Sequence, residues 1–410
     1  MTLHDLIKFF DKQSLVDACD ALQKAKVNNK LYRVWYRLNQ NTRIEVRTGS
    51  GMSAQGLAGP VTGQGGGGAA LASALNLDLG IDSYFSSSVD EDYYGKIRLQ
   101  PFIYIDDVNR SSPDLNSVRA GNVKFSSLAA EKQLTYHPTK SCYLVYGPDW
   151  FKSKVELEAE EEPVMLGKDV IHEKEQEKYL GDILSSLGLS ASVRATVRDR
   201  TAKVKGSIYE LRAVVEDVRM QAAGGFEAAI DLYESCIVPS LMANCSTWVE
   251  INKKTEEELD ALQDLFGRAL LQVPKSTPRL SVRAALGLLG SRWRIWQEKV
   301  LLVLALKQQE EGCLAKEVLE EQMRMGWPGL GQEVKEICKM IGLPDATCKT
   351  VNIEKEAVKE AILLHHHKHL KQEMTGKKME MMARTDMRRR RDYTKFGVED
   401  CHMAFRLETY

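Results

Sequence analysis

The chain lacks several features that would assign it to a specialised class of protein. It has no run of about 18 apolar residues, the minimum for a transmembrane helix, so we expect no membrane span. Charges interrupt its first twelve residues where a signal peptide is apolar, so we expect an intracellular protein, nuclear or cytoplasmic and not secreted. Its eight cysteines show no C-x-x-C spacing, which predicts reduced thiols instead of disulfides or a zinc site.

The chain also has no overall excess of charge, since 56 Lys and Arg balance 57 Asp and Glu. This balance argues mildly against nucleic-acid binding through bulk charge. The charges are nevertheless unevenly distributed: residues 156–162 hold five glutamates, whereas residues 365–395 hold ten Lys and Arg against four Asp and Glu. The run Arg388–Arg391 predicts a phosphate-binding or nuclear-import segment, with a disordered basic tail as the alternative.

Two adjacent acids, Asp106 and Asp107, follow an apolar run from Leu99 to Ile105. The run is rich in β-branched and aromatic residues and has turn residues on both sides, which predicts a buried strand that ends in a tight turn. Buried carboxylates repel one another and resist desolvation, so such a pair calls for a cation. Oxygen ligands of this kind suit Mg²⁺. We expect the pair at a hairpin tip with Asp106 as the principal ligand; a polar turn is the alternative.

The motif Tyr104–Asp107 resembles the catalytic turn of reverse transcriptases. Four further segments resemble the other palm motifs of that family and occur in the same order: Asp5 with Phe10, Gln64-Gly65, Leu134–Ser141 with the strand after it, and Lys178–Gly181. The first and last of these are most similar to those of non-LTR (LINE-like) retrotransposon enzymes. The resemblance covers about residues 3–185 and extends more weakly to about residue 310.

The resemblance implies an α+β fold. Residues 1–184 would form a polymerase palm, an antiparallel sheet with helices, and residues 185–312 an all-helical thumb; residues 313–410 would form a helical, basic C-terminal region. Only four residues precede Asp5, so we expect a palm and thumb that lack the upstream fingers. A separate fingers or endonuclease segment is then a candidate partner.

Apolar periodicity predicts the elements of these regions. We expect strands at 3–10 and 142–146, and short strands throughout the segment between residue 133 and residue 183. Helices are expected over about 114–132, 194–220, 226–241, 255–271 and 281–306.

The resemblance also implies a role for each motif residue. Two Mg²⁺ ions, with Mn²⁺ as an alternative, would be held by the catalytic residues Asp5, Asp106 and Asp107 to activate a primer 3′-OH and neutralise the leaving pyrophosphate. Lys140 would protonate or screen that pyrophosphate; an exposed, solvated lysine is the alternative. The incoming nucleotide would contact Phe10, Gln64, Gly65 and Tyr104. The primer end would be held by a turn made of Tyr179, Leu180 and Gly181; a structural β-turn is the alternative.

Three patterns fit the family less directly. Gly66 stands where the family has Ser or Thr, and its backbone freedom would loosen the nucleotide pocket. Residues 63–68 also satisfy the dinucleotide-binding pattern G-x-G-x-x-G, but a loop-like segment precedes them where that fingerprint requires a strand. His365 and His369 share a helix face, and we expect this histidine-rich helix to face solvent or nucleic acid.

The sequence therefore predicts an RNA-directed DNA polymerase fragment of a retrotransposon, whose partners are an RNA template, a DNA primer and dNTPs. Two alternatives stay open. One is an inactive retroelement relic that binds nucleic acid. The other is an RNA-dependent RNA polymerase, against which Tyr104 and Phe10 both argue.

Overall fold

The protein is a mixed α+β molecule, so the predicted fold class is confirmed at that level. The computed structural model describes residues 1–6, 15–28, 30, 33, 37, 43–44, 47–48, 51–52, 56–57, 92–99, 101–104, 107–221 and 225–374. No helix in this described part is long and apolar enough to cross a membrane. The chain divides into two compact units: unit 1 comprises Met1–Gly181 with Ser185–Leu187, and unit 2 comprises Asp182–Leu184 with the described residues from Gly188 onward.

The described strands are short, and five of them form one sheet. They are β1 (Thr2–Asp5), β2 (Arg43–Ile44), β3 (Arg47–Thr48), β4 (Gly51–Met52), β5 (Gly56–Leu57), β6 (Asp92–Tyr94), β7 (Ile97–Leu99), β8 (Phe102–Tyr104), β9 (Asp107–Arg110), β10 (Cys142–Tyr143), β11 (Met165–Leu166), β12 (Asp169–Val170), β13 (His172–Glu173), β14 (Gln176–Tyr179) and β15 (Asp182–Ser185). The sheet has the order β13-β10-β1-β9-β8. Its central strand β1 is antiparallel to both neighbours, whereas β10 and β13 are parallel.

Helices with described bounds belong mostly to unit 2. They are α1 (Leu15–Lys24), α2 (Leu115–Glu131), α3 (Asp149–Glu161), α4 (Leu189–Gln221), α5 (Gly225–Leu232), α6 (Val238–Met242), α7 (Lys253–Leu271), α8 (Arg279–Leu286), α9 (Ser291–Lys307), α10 (Leu314–Met325), α11 (Leu330–Ile341) and α12 (Lys355–Met374). A π-helical turn at Tyr233–Ile237 joins α5 to α6.

Helix α2 covers one face of the five-stranded sheet. Asp114 caps its first turn, because the side chain accepts a 2.8 Å hydrogen bond from the Ser117 N–H. Phe125 of α2 stacks on His4 of β1 with 4.6 Å between ring centroids. The apolar core between helix and sheet includes Leu6, Val108, Leu115, Val118, Phe125, Leu128, Tyr143, Val155, Leu166 and Ile171. This packing fixes which face of β1 contacts α2 and which face carries the candidate site.

The expectation of short strands between residues 133 and 183 is wrong for one segment. Residues 149–161 form α3, in which Val155 alone is buried. Phe151, Val155 and Ala159 recur four residues apart and pack against the core, but the charged residues between them leave only a narrow apolar stripe. The strand expected at 142–146 is also shorter, since β10 ends at Tyr143.

Unit 2 is held together in part by ion pairs between consecutive helices. Asp260 and Asp264, one turn apart on α7, accept hydrogen bonds of 2.8 and 2.9 Å from Arg283 of α8. Asp260 also accepts a 3.1 Å hydrogen bond from the Ser291 N–H at the start of α9. Burial raises the pKa of Asp264, and the positive charge of Arg283 opposes that shift. One acidic face of α7 therefore positions both α8 and α9.

Two expectations for unit 2 are wrong. The helix expected over 281–306 is interrupted, because Gly287 takes the left-handed conformation (φ 64°) and ends α8 before α9 begins. The histidine-rich helix does not face solvent throughout: His366 is 3% exposed, and burial lowers its pKa to about 3. The ring centroid of Trp293 lies 5.2 to 5.6 Å from the ring centroids of His365, His366 and His369. These histidines are therefore part of the packing of α12.

Candidate functional site

Two of the predicted catalytic carboxylates lie directly opposite each other in the sheet of unit 1. The strand register pairs Asp5 of β1 with Asp107 of β9, and it pairs Asp107 with Tyr104 of β8. Directly opposed residues of an antiparallel pair project from the same face, with Cβ atoms about 5 Å apart. Because His4 projects toward α2, Asp5 and the residues opposite it project from the other face of the sheet.

Lys140 completes this row on the other side of β1. The register between β1 and β10 pairs Thr2 with Tyr143 and Leu3 with Cys142, so its continuation brings Lys140 opposite Asp5. The Lys140 ammonium lies 3.4 Å from the Asp5 carboxylate, with the two side chains 63% and 28% exposed. We call Tyr104, Asp107, Asp5 and Lys140 the carboxylate row.

The loop before β10 holds the backbone of Asp5 in place. The His137 N–H donates a 2.7 Å hydrogen bond to the Asp5 carbonyl, and the Asp5 N–H donates a 3.3 Å bond to the Ser141 hydroxyl. Leu6 forms an isolated bridge with Tyr136. The motif at 134–141 therefore positions Asp5 as well as Lys140. The positioning role of His137 and Ser141 was missed from the sequence, where both appear only as members of that motif.

The strand β14 lies on the face of the sheet that carries the row. Glu177 accepts a 3.8 Å hydrogen bond from the Cys142 thiol. Burial raises the pKa of Tyr179, and the negative charge of Asp107 raises it further. The Tyr179 hydroxyl therefore lies within electrostatic reach of Asp107 and stays protonated, so it can donate a hydrogen bond beside the row.

The predicted primer-grip turn is a tight turn with an unusual backbone. After Tyr179, both Leu180 (φ 49°) and Gly181 (φ 85°) take positive φ values. Glycine adopts that region freely, but a branched residue such as Leu does so at a cost of about 1–2 kcal/mol. The Leu180 side chain is 40% exposed. Leu180 and Gly181 thus form a two-residue hairpin turn between β14 and β15, in which the leucine side chain is exposed.

Four predicted site residues lie outside the described residues: Phe10, Gln64, Gly65 and Asp106. The described members of the set are brought together in unit 1. They are Asp5, Tyr104, Asp107, Lys140 and Tyr179, followed by the turn at Leu180 and Gly181.

The two described carboxylates of the row suit a hard divalent cation. Like charges directly opposite on neighbouring strands destabilise the pair, and a cation between them reverses that repulsion. Mg²⁺ takes one or two protein carboxylates and completes its shell with water or phosphate oxygens. Within the described ranges, no group of three or more His, Cys, Asp or Glu side chains is arranged to hold a metal ion. The row supplies two such ligands, Asp5 and Asp107.

Comparison with models of known protein families gave no match to this chain, and comparison with curated protein sequences gave none either. A functional assignment therefore depends on the geometry of the carboxylate row and on the sequence motifs that supply it.

Proposed function

We propose that the chain is an RNA-directed DNA polymerase of the retrotransposon reverse-transcriptase type. The observation that carries the proposal is the direct opposition of Asp5 and Asp107 on neighbouring strands. These residues are about a hundred positions apart in sequence, and each belongs to a separate motif of that family. Nucleotidyl transfer needs carboxylates that converge from different segments in this way.

The residues of the row divide the chemistry among them. Asp5 and Asp107, with Asp106, would hold divalent cations, which supply Lewis-acid activation of a primer 3′-OH and neutralise developing negative charge. Lys140 places a positive charge in the same row, where its ammonium could donate a hydrogen bond to a phosphate oxygen. Tyr104 is 58% exposed and offers an aromatic surface to a nucleotide.

The remaining elements fit the same proposal. The sheet of unit 1 with α2 and α3 would be the palm, and the helices of unit 2 would include the thumb. The turn at Leu180 and Gly181 would hold the primer end, since it follows Tyr179, which interacts with Asp107. Phe10, Gln64 and Gly65 would contact the incoming dNTP.

Primer extension tests the proposal. The full chain is incubated with an RNA template, a labelled DNA primer, dNTPs and Mg²⁺, and compared with Asp5→Asn and Asp107→Asn. Asp169→Asn is the matched control, because Asp169 is an exposed carboxylate of β12 in the same unit. We expect Mg²⁺-dependent extension by the wild type and the control and its loss in both row variants.

Three results would contradict the proposal. Extension that persists in Asp107→Asn would remove the mechanism. Incorporation of NTPs in preference to dNTPs would indicate an RNA-dependent RNA polymerase. Salt-dependent binding of primer–template without incorporation would indicate an inactive nucleic-acid-binding protein.

A further inference from the structure

Within the part of the chain that the structure describes, the Lys140 ammonium makes one loose contact with the carboxylates of the row. The ammonium is 3.4 Å from one oxygen of Asp5, which is longer than the roughly 2.7–2.9 Å of a charge-assisted hydrogen bond. It nevertheless supplies a positive charge beside two carboxylates that face each other across neighbouring strands. Without a cation, that opposition would destabilise the pairing of β1 with β9.

We propose that Lys140 is a built-in counter-ion of the two carboxylates in the row, and that a divalent cation displaces its ammonium from Asp5 on binding. The inference rests on the metal site of the proposed function and adds a competitor to it. In the metal-free protein, Lys140 lowers the repulsion between Asp5 and Asp107. When the cation binds, the same ammonium becomes a like charge beside it and moves away.

The surroundings of Lys140 allow this exchange. Its side chain is 63% exposed, so the ammonium can leave Asp5 for water without crossing the core. The backbone around it is fixed separately: the N–H groups of Lys140 and Ser141 donate hydrogen bonds of 3.2 and 2.8 Å to the His137 carbonyl. The side chain can therefore move while the loop keeps Asp5 in place. Lys299 of unit 2 is a contrasting case, because it is 3% exposed where it pairs with Glu333.

The proposal predicts that Lys140 weakens metal binding. Removing an exposed charge a few ångströms from a divalent site should tighten binding by about threefold to tenfold at low ionic strength. The gain should shrink as salt screens the interaction. If Lys140 were a solvated surface lysine with no effect on the site, its removal would leave the affinity for the divalent cation unchanged.

The test compares Mn²⁺ and Mg²⁺ binding to the full chain by isothermal titration calorimetry at low and high salt. Lys140→Met removes the charge, and Lys140→Arg keeps it. Lys154→Met is the matched control, because Lys154 forms a similar surface pair in the same unit, 3.6 Å from Glu158 with the side chains 64% and 36% exposed. Asp107→Asn reports whether the measured ion binds to the row at all.

We expect Lys140→Met to bind the ion more tightly than the wild type, and Lys140→Arg and Lys154→Met to resemble the wild type. Equal affinity of Lys140→Met and the wild type would overturn the counter-ion role while leaving the proposed function intact. Binding that is unaffected by Asp107→Asn, or no binding by any variant, would overturn the metal site and this inference together. Tighter ion binding by Lys140→Met, together with no primer extension by the wild type, would support the inference while counting against the polymerase.

Discussion

At the scale of single residues, the opposition of Asp5 and Asp107 has a cost that can be measured. Directly opposed like charges on neighbouring strands destabilise them by about 0.2–1 kcal/mol. A divalent cation between the two carboxylates relieves this cost, so Mg²⁺ should raise the free energy of unfolding of the wild type more than that of Asp107→Asn, in which one of the two charges is gone. Urea unfolding monitored by circular dichroism with and without Mg²⁺ measures the difference, with Asp169→Asn as the control that should respond like the wild type. An equal response of Asp107→Asn and the wild type would contradict an ion held between the two carboxylates.

His4 predicts how unit 1 responds to acid. Burial, together with the nearby positive charge of Arg110, lowers the pKa of His4 from its ordinary value of 6.5 to about 3. The neutral ring is thus favoured in the folded state. Its contribution to the free energy of unfolding is complete above pH 6.5 and is lost as the pH falls toward 3, by about 1.4 kcal/mol per pH unit.

His4→Phe should remove this pH dependence, because phenylalanine does not titrate. Its phenyl ring preserves the stack on Phe125, so the packing should be kept. Amide hydrogen exchange of α2 at pH 7 and pH 5 follows unit 1 separately, which matters because His366 titrates similarly in unit 2. The wild type should lose more protection than the variant between the two values. Equal losses would mean that His4 is not held neutral by the fold.

Leu180 predicts a separation of stability from function. Leu180→Gly relieves the positive φ of 49°, so the protein should gain about 1 kcal/mol of unfolding free energy. If the leucine side chain holds a primer, the same variant should release primer–template faster in a stopped-flow chase. Gln272→Gly is the control, since Gln272 has a φ of 55° at the end of α7. Unchanged release by Leu180→Gly would exclude a gripping role.

At the scale of elements, the contact between β9 and α2 depends on one glycine. A Cβ at Gly121 would lie 1.6 Å from the guanidinium of Arg110, which is itself fixed by hydrogen bonds to the carbonyls of Ser117 and Val118. Gly121→Ala should therefore cost about 1–3 kcal/mol of unfolding free energy, measured by urea denaturation. Gly206→Ala is the matched change, because Gly206 of α4 faces open space, and it should stabilise by about 0.5–1 kcal/mol. Equal effects of the two would contradict this packing.

Elements were predictable where burial follows a regular period. The expected helix at 114–132 corresponds to α2, whose apolar residues recur toward one core and whose capping residue Asp114 is visible in the sequence. Helix α3 was missed because its apolar repeat is short: Phe151, Val155 and Ala159 recur four residues apart, and only Val155 is buried. The break between α8 and α9 depends on a left-handed Gly287 that periodicity alone does not distinguish from a glycine within a helix.

At the scale of the whole molecule, the site combines segments that are distant in sequence. The motifs identified Asp5, Asp107 and Lys140 separately, but their proximity follows from the antiparallel pairing of β1 with β9 and β10. That pairing is a long-range feature, and residue patterns within each strand do not specify the partner strand. The likeness to a known order of motifs was the signal that predicted the grouping. The electrostatic effect of Asp107 on Tyr179 likewise has no signal in the local sequence.

The most direct test locates the bound ion. Fe²⁺ replaces Mg²⁺ in the full chain, and ascorbate with peroxide generates hydroxyl radicals that cleave the backbone next to the metal; mass spectrometry then identifies the cut positions. The account predicts cleavage near Asp5, Asp107 and Lys140, abolished by excess Mg²⁺ and by Asp107→Asn. Cleavage confined to other parts of the chain, or cuts at these positions that persist in Asp107→Asn, would contradict it.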